Sequence, residues 1–422
     1  MKLTIVTSGS RGDIQPYIAL ATGLRKLGHD ITFITNEGYT ELINSYGFKI
    51  YKIRGDIREI IESEEGARLL ESGYSVKFIL KFVKLFKDFL STFLDDIYEG
   101  CQDSEGIIYS TVGASAYFMA EKLGIPSIGA YLQPITKTDE FPVFMFPPNM
   151  ITTKMTNQLS YIMGEQLFWQ PVRNYVNEWI DKKLKLKKAP FFGLYEKLHK
   201  NKYPFVYGYS PALIPKPHDW SEVIKVFGFW FLEKQEAWQP PKNLVDFLES
   251  GPAPVYVGFG SMANRNPEQT AETIIKALKK SKSRGLLLSG WSGLKKSDLD
   301  DDIFMIDSVP HDWLFPKMSA LVHHCGAGTT SAGLKAGIPS IPVPFFADQP
   351  FWAYKMYHEG LASKPIMRKD LNSDNLSNSI TKVIADNNMQ KRSKRFGEKL
   401  ALEKGVEYSS DYIDNVFKNY KR

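Results

Sequence analysis

The chain has 422 residues, with 53 Lys and Arg against 47 Asp and Glu, a formal net charge of +6. Its 43% hydrophobic and 24% charged content excludes a disordered or fibrous chain, and so small a charge excess gives no argument for nucleic acid. Two cysteines, Cys101 and Cys325, exclude a disulfide framework and point to a reducing, cytoplasmic setting. No apolar stretch reaches about 18 residues, and the opening Met1–Val6 run is too short for a signal peptide, so neither a transmembrane helix nor a leader is expected.

Leu3 to Thr7 reads as a buried strand running into the Gly-rich turn Ser8-Gly9-Ser10-Arg11-Gly12-Asp13. After Pro16, the apolar spacing of Tyr17, Leu20, Ala21, Leu24 and Leu27 predicts a helix closed by Gly28. Ile31 to Thr35 is the next strand, which completes a βαβ unit and implies a parallel sheet. The unit recurs as strand Ile107–Tyr109, helix Ala114–Leu123 and a strand opened by Gly124-Ile125-Pro126-Ser127-Ile128. Strand Leu321–His323, helix Thr330–Ala336 and the same pentapeptide, Gly337 to Ile341, repeat that order late in the chain.

Pro211, Pro215, Pro217, Pro240, Pro241, Pro252 and Pro254 crowd the region between, which reads as a linker. A fresh βα unit starts at Val255 and ends its strand in Gly258-Phe259-Gly260-Ser261. From Asn387 onward a charged helical tail follows. The expected organisation is a domain over 1–215, a linker over 216–250, a second domain over 251–386 and a helical tail over 387–422 that crosses back to the first domain. The expected fold class is α/β, with two Rossmann-like parallel-sheet domains facing across a cleft that takes the ligands.

The strongest local signal is His323-His324-Cys325-Gly326-Ala327-Gly328-Thr329-Thr330, between a strand and a helix. Glycines let backbone N–H groups approach an anion, and a helix N-terminus adds donors and a positive dipole end. His324 would give a phosphate oxygen a charge-assisted bond. The alternative is a tight turn with no ligand. Gly258 to Ser261 is a second turn that could reach the same phosphates. The first turn, Gly9 to Asp13, carries a carboxylate instead, which suits an acid or base, or else a helix cap or an ion pair with Arg11. Asp348-Gln349 pairs a carboxylate with an amide, a combination suited to sugar hydroxyls, although Asp348 is also a good N-cap. Asp300-Asp301-Asp302 reads as a solvated loop rather than a metal site.

Taken together, Gly9 to Pro16, Val309-Pro310-His311-Asp312-Trp313-Leu314, His323 to Thr330 and Pro344 to Pro350 resemble, in order, the motifs of GT-B glycosyltransferases. Within them the chain is most similar to the sterol glucosyltransferases and the glycopeptide and macrolide glycosyltransferases. The resemblance implies acceptor binding by the N-terminal half, donor binding by the C-terminal half, and a final helix that crosses back. It implies Asp13 as the catalytic base, and Ser10, Ser261, Val309, His324, Gly326, Gly328, Thr329, Asp348 and Gln349 as donor contacts. Ser308 stands where plant relatives stack a Trp on the base. Inverting transfer of a hexose from a UDP-sugar, above all UDP-glucose, to a hydrophobic alcohol such as a sterol is the implied reaction, with no metal and no cofactor.

On the acceptor side, Val76 to Ile97 reads as an amphipathic helix with Lys77, Lys81, Lys84 and Lys87 on one stripe. Tyr161 to Trp179 is rich in Met, Phe and Trp and precedes the basic run Lys182 to Lys188. These are core helices with solvated lysines, or an apolar acceptor cavity beside a basic surface that makes peripheral contact with anionic membranes. The competing functions are a TDP- or UDP-sugar-dependent natural-product glycosyltransferase, a Rossmann-type oxidoreductase and a non-catalytic lipid-binding protein.

Overall fold

Leu3, Ile5 and Val6 are fully buried, so the strand they form, β1 (Lys2–Val6), lies inside a sheet covered on both faces. The computed structural model describes residues 1–55, 89–146, 152–233, 238–259, 267–288 and 299–420. β2 (Asp30–Asn36), β3 (Lys49–Ile53), β4 (Gly106–Tyr109), β5 (Ser127–Tyr131), β6 (Phe205–Tyr207) and β7 (Ile224–Val226) complete a parallel sheet ordered β3-β2-β1-β4-β5-β6-β7. Leu3 sits between Ile31 of β2 and Gly106 of β4. Strand order reverses between β1 and β4, so the loops after them part and leave a crevice.

Helix α1 (Arg11–Lys26) starts at Arg11, earlier than the periodicity after Pro16 suggests. Ser10 takes the N-cap position, Asp13 closes a capping box, and Pro16 falls inside the helix. The same unit holds α2 (Ala116–Leu123), α3 (Lys154–Trp179) and α4 (Leu194–Lys200).

The second sheet is also parallel, ordered β10-β9-β8-β11-β12. Its strands are β8 (Val255–Gly258), β9 (Gly285–Leu288), β10 (Ile303–Ile306), β11 (Ala320–His323) and β12 (Ser340–Pro342). Helix α5 (Lys242–Glu249) precedes it, α6 (Ala327–Ala336) joins β11 to β12, and α7 (Gln349–His358) and α8 (Asn387–Ala401) follow. The repeated pentapeptide does the same work twice. Gly124 and Gly337 end α2 and α6 in the left-handed region, at φ 64° and 70°, and the strands resume at Ser127 and Ser340.

The chain forms two units, Met1–Gln235 with Glu403–Arg422, and Glu236–Leu402. This differs from the sequence reading at both ends of the second unit. The proline-rich segment is not a bare linker: β7 pairs with β6, and α5 buries Leu244 against Tyr256 and Leu286. Pro240 and Pro241 stand just before α5 and leave it intact. Nor does the whole tail return. Helix α8 stays in the second unit, where a Cβ on Gly397 would lie 2.9 Å from the Gly337 backbone. Only α9 (Gly405–Lys418) packs on the first unit, burying Ile413 and Phe417 in its core. His29 Nε2 meets Asp414 at 3.0 Å, and Trp230 Nε1 donates to Ser409 at 2.8 Å.

Gly405 is where α9 meets the first unit. A Cβ there would lie 2.5 Å from the Phe229 carbonyl oxygen and 2.7 Å from that of Gly228, both backbone atoms that cannot swing away. Gly405→Ala is expected to cost about 1–3 kcal/mol, read as a lower urea midpoint with an unchanged slope.

Candidate active site

In the second sheet the order reverses between β8 and β11, so the turns after these strands flank its ligand crevice. Of the turn after β8, Phe259 is buried with its ring 5.4 Å from Phe345, while Gly260 and Ser261 lie outside the described residues. After β11 the backbone bends sharply. Cys325 adopts φ 65°, a left-handed conformation that is costly for a residue with a side chain. Gly326 is the N-cap, and no side chain caps α6. The first helical bond runs from Thr330 N to Gly326 O at 2.9 Å. The N–H groups of Ala327, Gly328 and Thr329 therefore have no intrahelical acceptor, and the helix dipole makes this end positive.

Among the described residues Ala347, on the loop between β12 and α7 and next to Asp348, also holds a side chain in the left-handed region, at φ 57°. Lys185, Lys202 and Lys282 share such angles, but they lie at helix C-termini, where that geometry is ordinary. Nδ1 of His324 and Oγ1 of Thr330 are enclosed and have no hydrogen-bond partner, so the turn holds polar atoms that a ligand would satisfy. A Cβ on Gly326 would lie 2.6 Å from Nε2 of His324, which makes glycine necessary.

His323 is fully buried, accepts from Cys325 N at Nδ1 (3.1 Å) and presents Nε2 to Ser340 Oγ (3.0 Å). Burial pushes its pKa down to about 3. Burial likewise pushes His324 down to about 4, with the Gly258 carbonyl pulling the other way. His324 is therefore neutral at pH 7. The charge in the bond expected from the sequence would then come from the phosphate alone, with a neutral imidazole offering the N–H. Both folded values lie below the ordinary 6.5, so the unfolded chain binds these protons more tightly. The stability they secure is complete above pH 6.5 and is lost as pH falls toward 4. The second unit is expected to lose urea resistance steadily below pH 6.5, and His323→Gln to flatten that fall.

Asp348 is the N-cap residue of α7, but its Oδ2 accepts from Trp352 Nε1 at 2.8 Å instead of capping. Gln349 is buried, and its Oε1 accepts from Phe345 N at 2.8 Å and Phe346 N at 3.3 Å. Both side chains are thus held in one orientation on the loop after β12. Val309 is buried beside Tyr256, ahead of a short turn whose His311 stacks on Phe315 with centroids 4.3 Å apart. Asp300 pairs with Lys279 at 2.7 Å on the surface.

In the first unit, Asp13 lies in the first turn of α1, just after β1 and at the strand-order reversal. Ser10 N and Ser10 Oγ both donate to Asp13 Oδ2 at 2.8 Å, and Thr7 Oγ1 donates to the Asp13 carbonyl at 2.9 Å. A Cβ on Gly9 (φ 136°) would strike this carboxylate at 2.6 Å. Arg11 bonds Gln15 at 3.0 Å. Ser10 is therefore placed as partner to Asp13, in a different unit from the other residues expected to contact the donor. On the facing side of the reversal, Ser110 follows β4; its N donates to Val6 O at 2.9 Å and its Oγ accepts from Gly113 N at 3.2 Å.

Sequence reading missed the tyrosines that end the strands of the first sheet. Tyr109, Tyr131 and Tyr207 are the last residues of β4, β5 and β6, all buried, with the Tyr131 ring 6.3 Å from Tyr109 and 5.8 Å from Tyr207. Tyr17 donates to Ala130 O at 2.6 Å, and burial first, then Asp13, hold its pKa well above the usual value. A tyrosine ending each of three strands was the available signal. Glu165 accepts from Tyr195 N at 2.9 Å, and burial pushes its pKa up to about 7. Asp139, His218 and Asp219 also gather their ligand atoms within 4.8 Å. That cluster is bound up with Lys154, Glu140 and Thr138. The stripe Lys77, Lys81, Lys84 and Lys87 lies outside the described residues.

Residues 226–397 match the family described as UDP-glucuronosyl and UDP-glucosyl transferase, and residues 3–142 match the glycosyltransferase family 28 N-terminal domain. A sterol 3-beta-glucosyltransferase of Komagataella phaffii is 36% identical over 96% of this chain and 34% of its own length. One from Arabidopsis thaliana is 35% identical over 90% of this chain and 62% of its own. The chain thus spans about a quarter to three-fifths of the length of such relatives. Among solved structures, the glycosyltransferase of kitacinnamycin superposes with a TM-score of 0.71 at 16% identity over 99% of both chains. Glycosyltransferase VinC, in complex with dTDP, superposes at 0.69 and 14% over the whole of both.

Proposed function

We propose, for a chain that belongs to the GT-B glycosyltransferases, that it transfers glucose from UDP-glucose to the hydroxyl of a sterol-like alcohol, with inversion. The observation that carries this reading is the uncapped N-terminus of α6, with three N–H groups turned toward the mouth of the second sheet. It offers a diphosphate leaving group hydrogen bonds and positive potential at once. His324, Gly326, Gly328 and Thr329 form that site, Asp348 and Gln349 are the groups that read the sugar, and the backbone at Val309 takes the base.

Asp13 takes the proton of the acceptor hydroxyl as it attacks the anomeric carbon. One base and one displacement invert the configuration. The relatives named above act on sterols, and the buried tyrosines ending β4 to β6 give the first unit a cluster of aromatic surface that suits a flat, apolar alcohol. Incubation with UDP-glucose and a panel of sterols and macrolides, read by mass shift, tests both substrates. Consumption of TDP-sugars with UDP-glucose untouched would transfer the reading to the natural-product branch.

The α6 N-terminus takes the role a divalent cation plays elsewhere. Turnover is therefore expected to persist in EDTA. A rate that collapses in EDTA and returns with Mg²⁺ or Mn²⁺ would contradict this and direct attention to Asp139, His218 and Asp219.

A further inference from the structure

We propose that the outer ridge of α3, with Phe191 and Phe192, seats this chain on an anionic lipid bilayer. The purpose of such a seat rests on the lipophilic acceptor proposed above; the geometry does not.

Helix α3 buries Asn157, Ser160, Tyr161 and Gly164 on one side. At 3.6 residues per turn, Met155, Leu159, Ile162 and Met163 fall on the opposite side. All four are exposed, Met155 at 71%. Farther along the same ridge lie Gln166, Trp169, Gln170 and Arg173, and there a loop is laid over the helix. Gln166 Nε2 donates to Phe192 O at 2.6 Å, and Trp169 Nε1 and Gln170 Nε2 donate to Phe191 O at 3.0 and 2.8 Å. Every one of these bonds ends on a backbone carbonyl. The loop is thus fastened by its main chain, and Phe191 and Phe192 stay half-exposed, at 56% and 52%, with the Arg173 guanidinium 4.6 Å over one face of the Phe191 ring. Singly exposed apolar side chains are ordinary; six on one ridge, two of them on a fastened loop, mark a contact surface.

Charge identifies what covers it. Lys185, Lys187 and Lys188 are exposed immediately before the phenylalanine pair, and among the described residues they form no ion pair. Lys182 and Lys183 are matched by Glu178 and Asp95. An apolar ridge bordered by lysines is the pattern of an interfacial binder, with rings in the acyl boundary and ammonium groups among anionic headgroups. A second copy of the chain would set these lysines against their own kind.

Flotation of the full chain with vesicles of phosphatidylcholine, alone or mixed with phosphatidylglycerol, tests this. The chain should float with the mixed vesicles. A basic side chain at such a surface changes partitioning about fivefold, so K185Q/K187Q/K188Q should lose about 10²-fold. F191S/F192S should lose at least tenfold, and circular dichroism and the rate on cyclodextrin-dispersed acceptor should match wild type. Wild type left at the bottom of the gradient, either variant floating as wild type does, or a dimer that F191S/F192S splits in sedimentation would overturn the proposal. Flotation without any transfer would overturn the reaction and leave the bilayer seat standing.

Discussion

Asp13→Asn stops sugar transfer and leaves nucleotide-sugar binding close to wild type. The amide oxygen can take the two Ser10 bonds that Oδ2 accepts now, so the start of α1 and the position of Gly9 are kept. What the amide cannot do is receive a proton. Loss of a general base costs roughly 10²–10⁴ in rate. Calorimetric titration with UDP and a single-turnover rate on the same preparation make the comparison. Asp13→Ala is the poorer variant, since it also removes a cap worth about 1 kcal/mol. If the Asn enzyme turned over near normally, the base would be elsewhere. Tyr17 is a poor substitute, with a pKa well above the usual value. His29 is buried against Asp414, beyond the far end of α1.

His324→Ala should weaken donor binding as well as slow transfer. Its imidazole is neutral, so its bond to a phosphate is an ordinary N–H to an anion, worth about 1.5–3 kcal/mol. That converts to roughly 10–150-fold in the dissociation constant for UDP. His324→Gln keeps an N–H and should lie between the two. The contrast with Asp13→Asn separates the roles: one variant loses rate alone, the other affinity and rate together. Unchanged UDP affinity in His324→Ala would remove the residue from the donor site.

The parts of the fold legible in the sequence are those fixed by local chemistry. Gly124 and Gly337 close helices at positive φ, and the apolar runs at Leu3, Ile107, Val255 and Leu321 are strands with both faces buried. The turns at Asp13 and His324 were legible because glycine marks where backbone approaches closely. Helix starts were misplaced for a related reason. Apolar periodicity begins one turn into α1 and α6, whereas the caps at Ser10 and Gly326 depend on hydrogen bonds that periodicity does not carry. The state of His324 depends on what encloses it, and the tyrosines of β4 to β6 meet only once the sheet has formed. The return of α9 alone, and not of α8, turns on the glycine contacts at 397 and 405.

That return sets an order of events during synthesis. The first unit is discontinuous: its last helix is separated from the rest by the entire second unit. Until α9 emerges, the face of α1 around Leu20 and Gly23, against which Ser410 packs, has no cover. Synthesis of the second unit alone, at about 5–20 residues per second, adds roughly ten to thirty seconds to that interval. The second unit, continuous from Glu236 to Leu402, is available to fold within it, ahead of the unit that began first. A frameshift after residue 402 would spare every proposed donor contact in the second unit and still leave the unit that carries Asp13 unfinished.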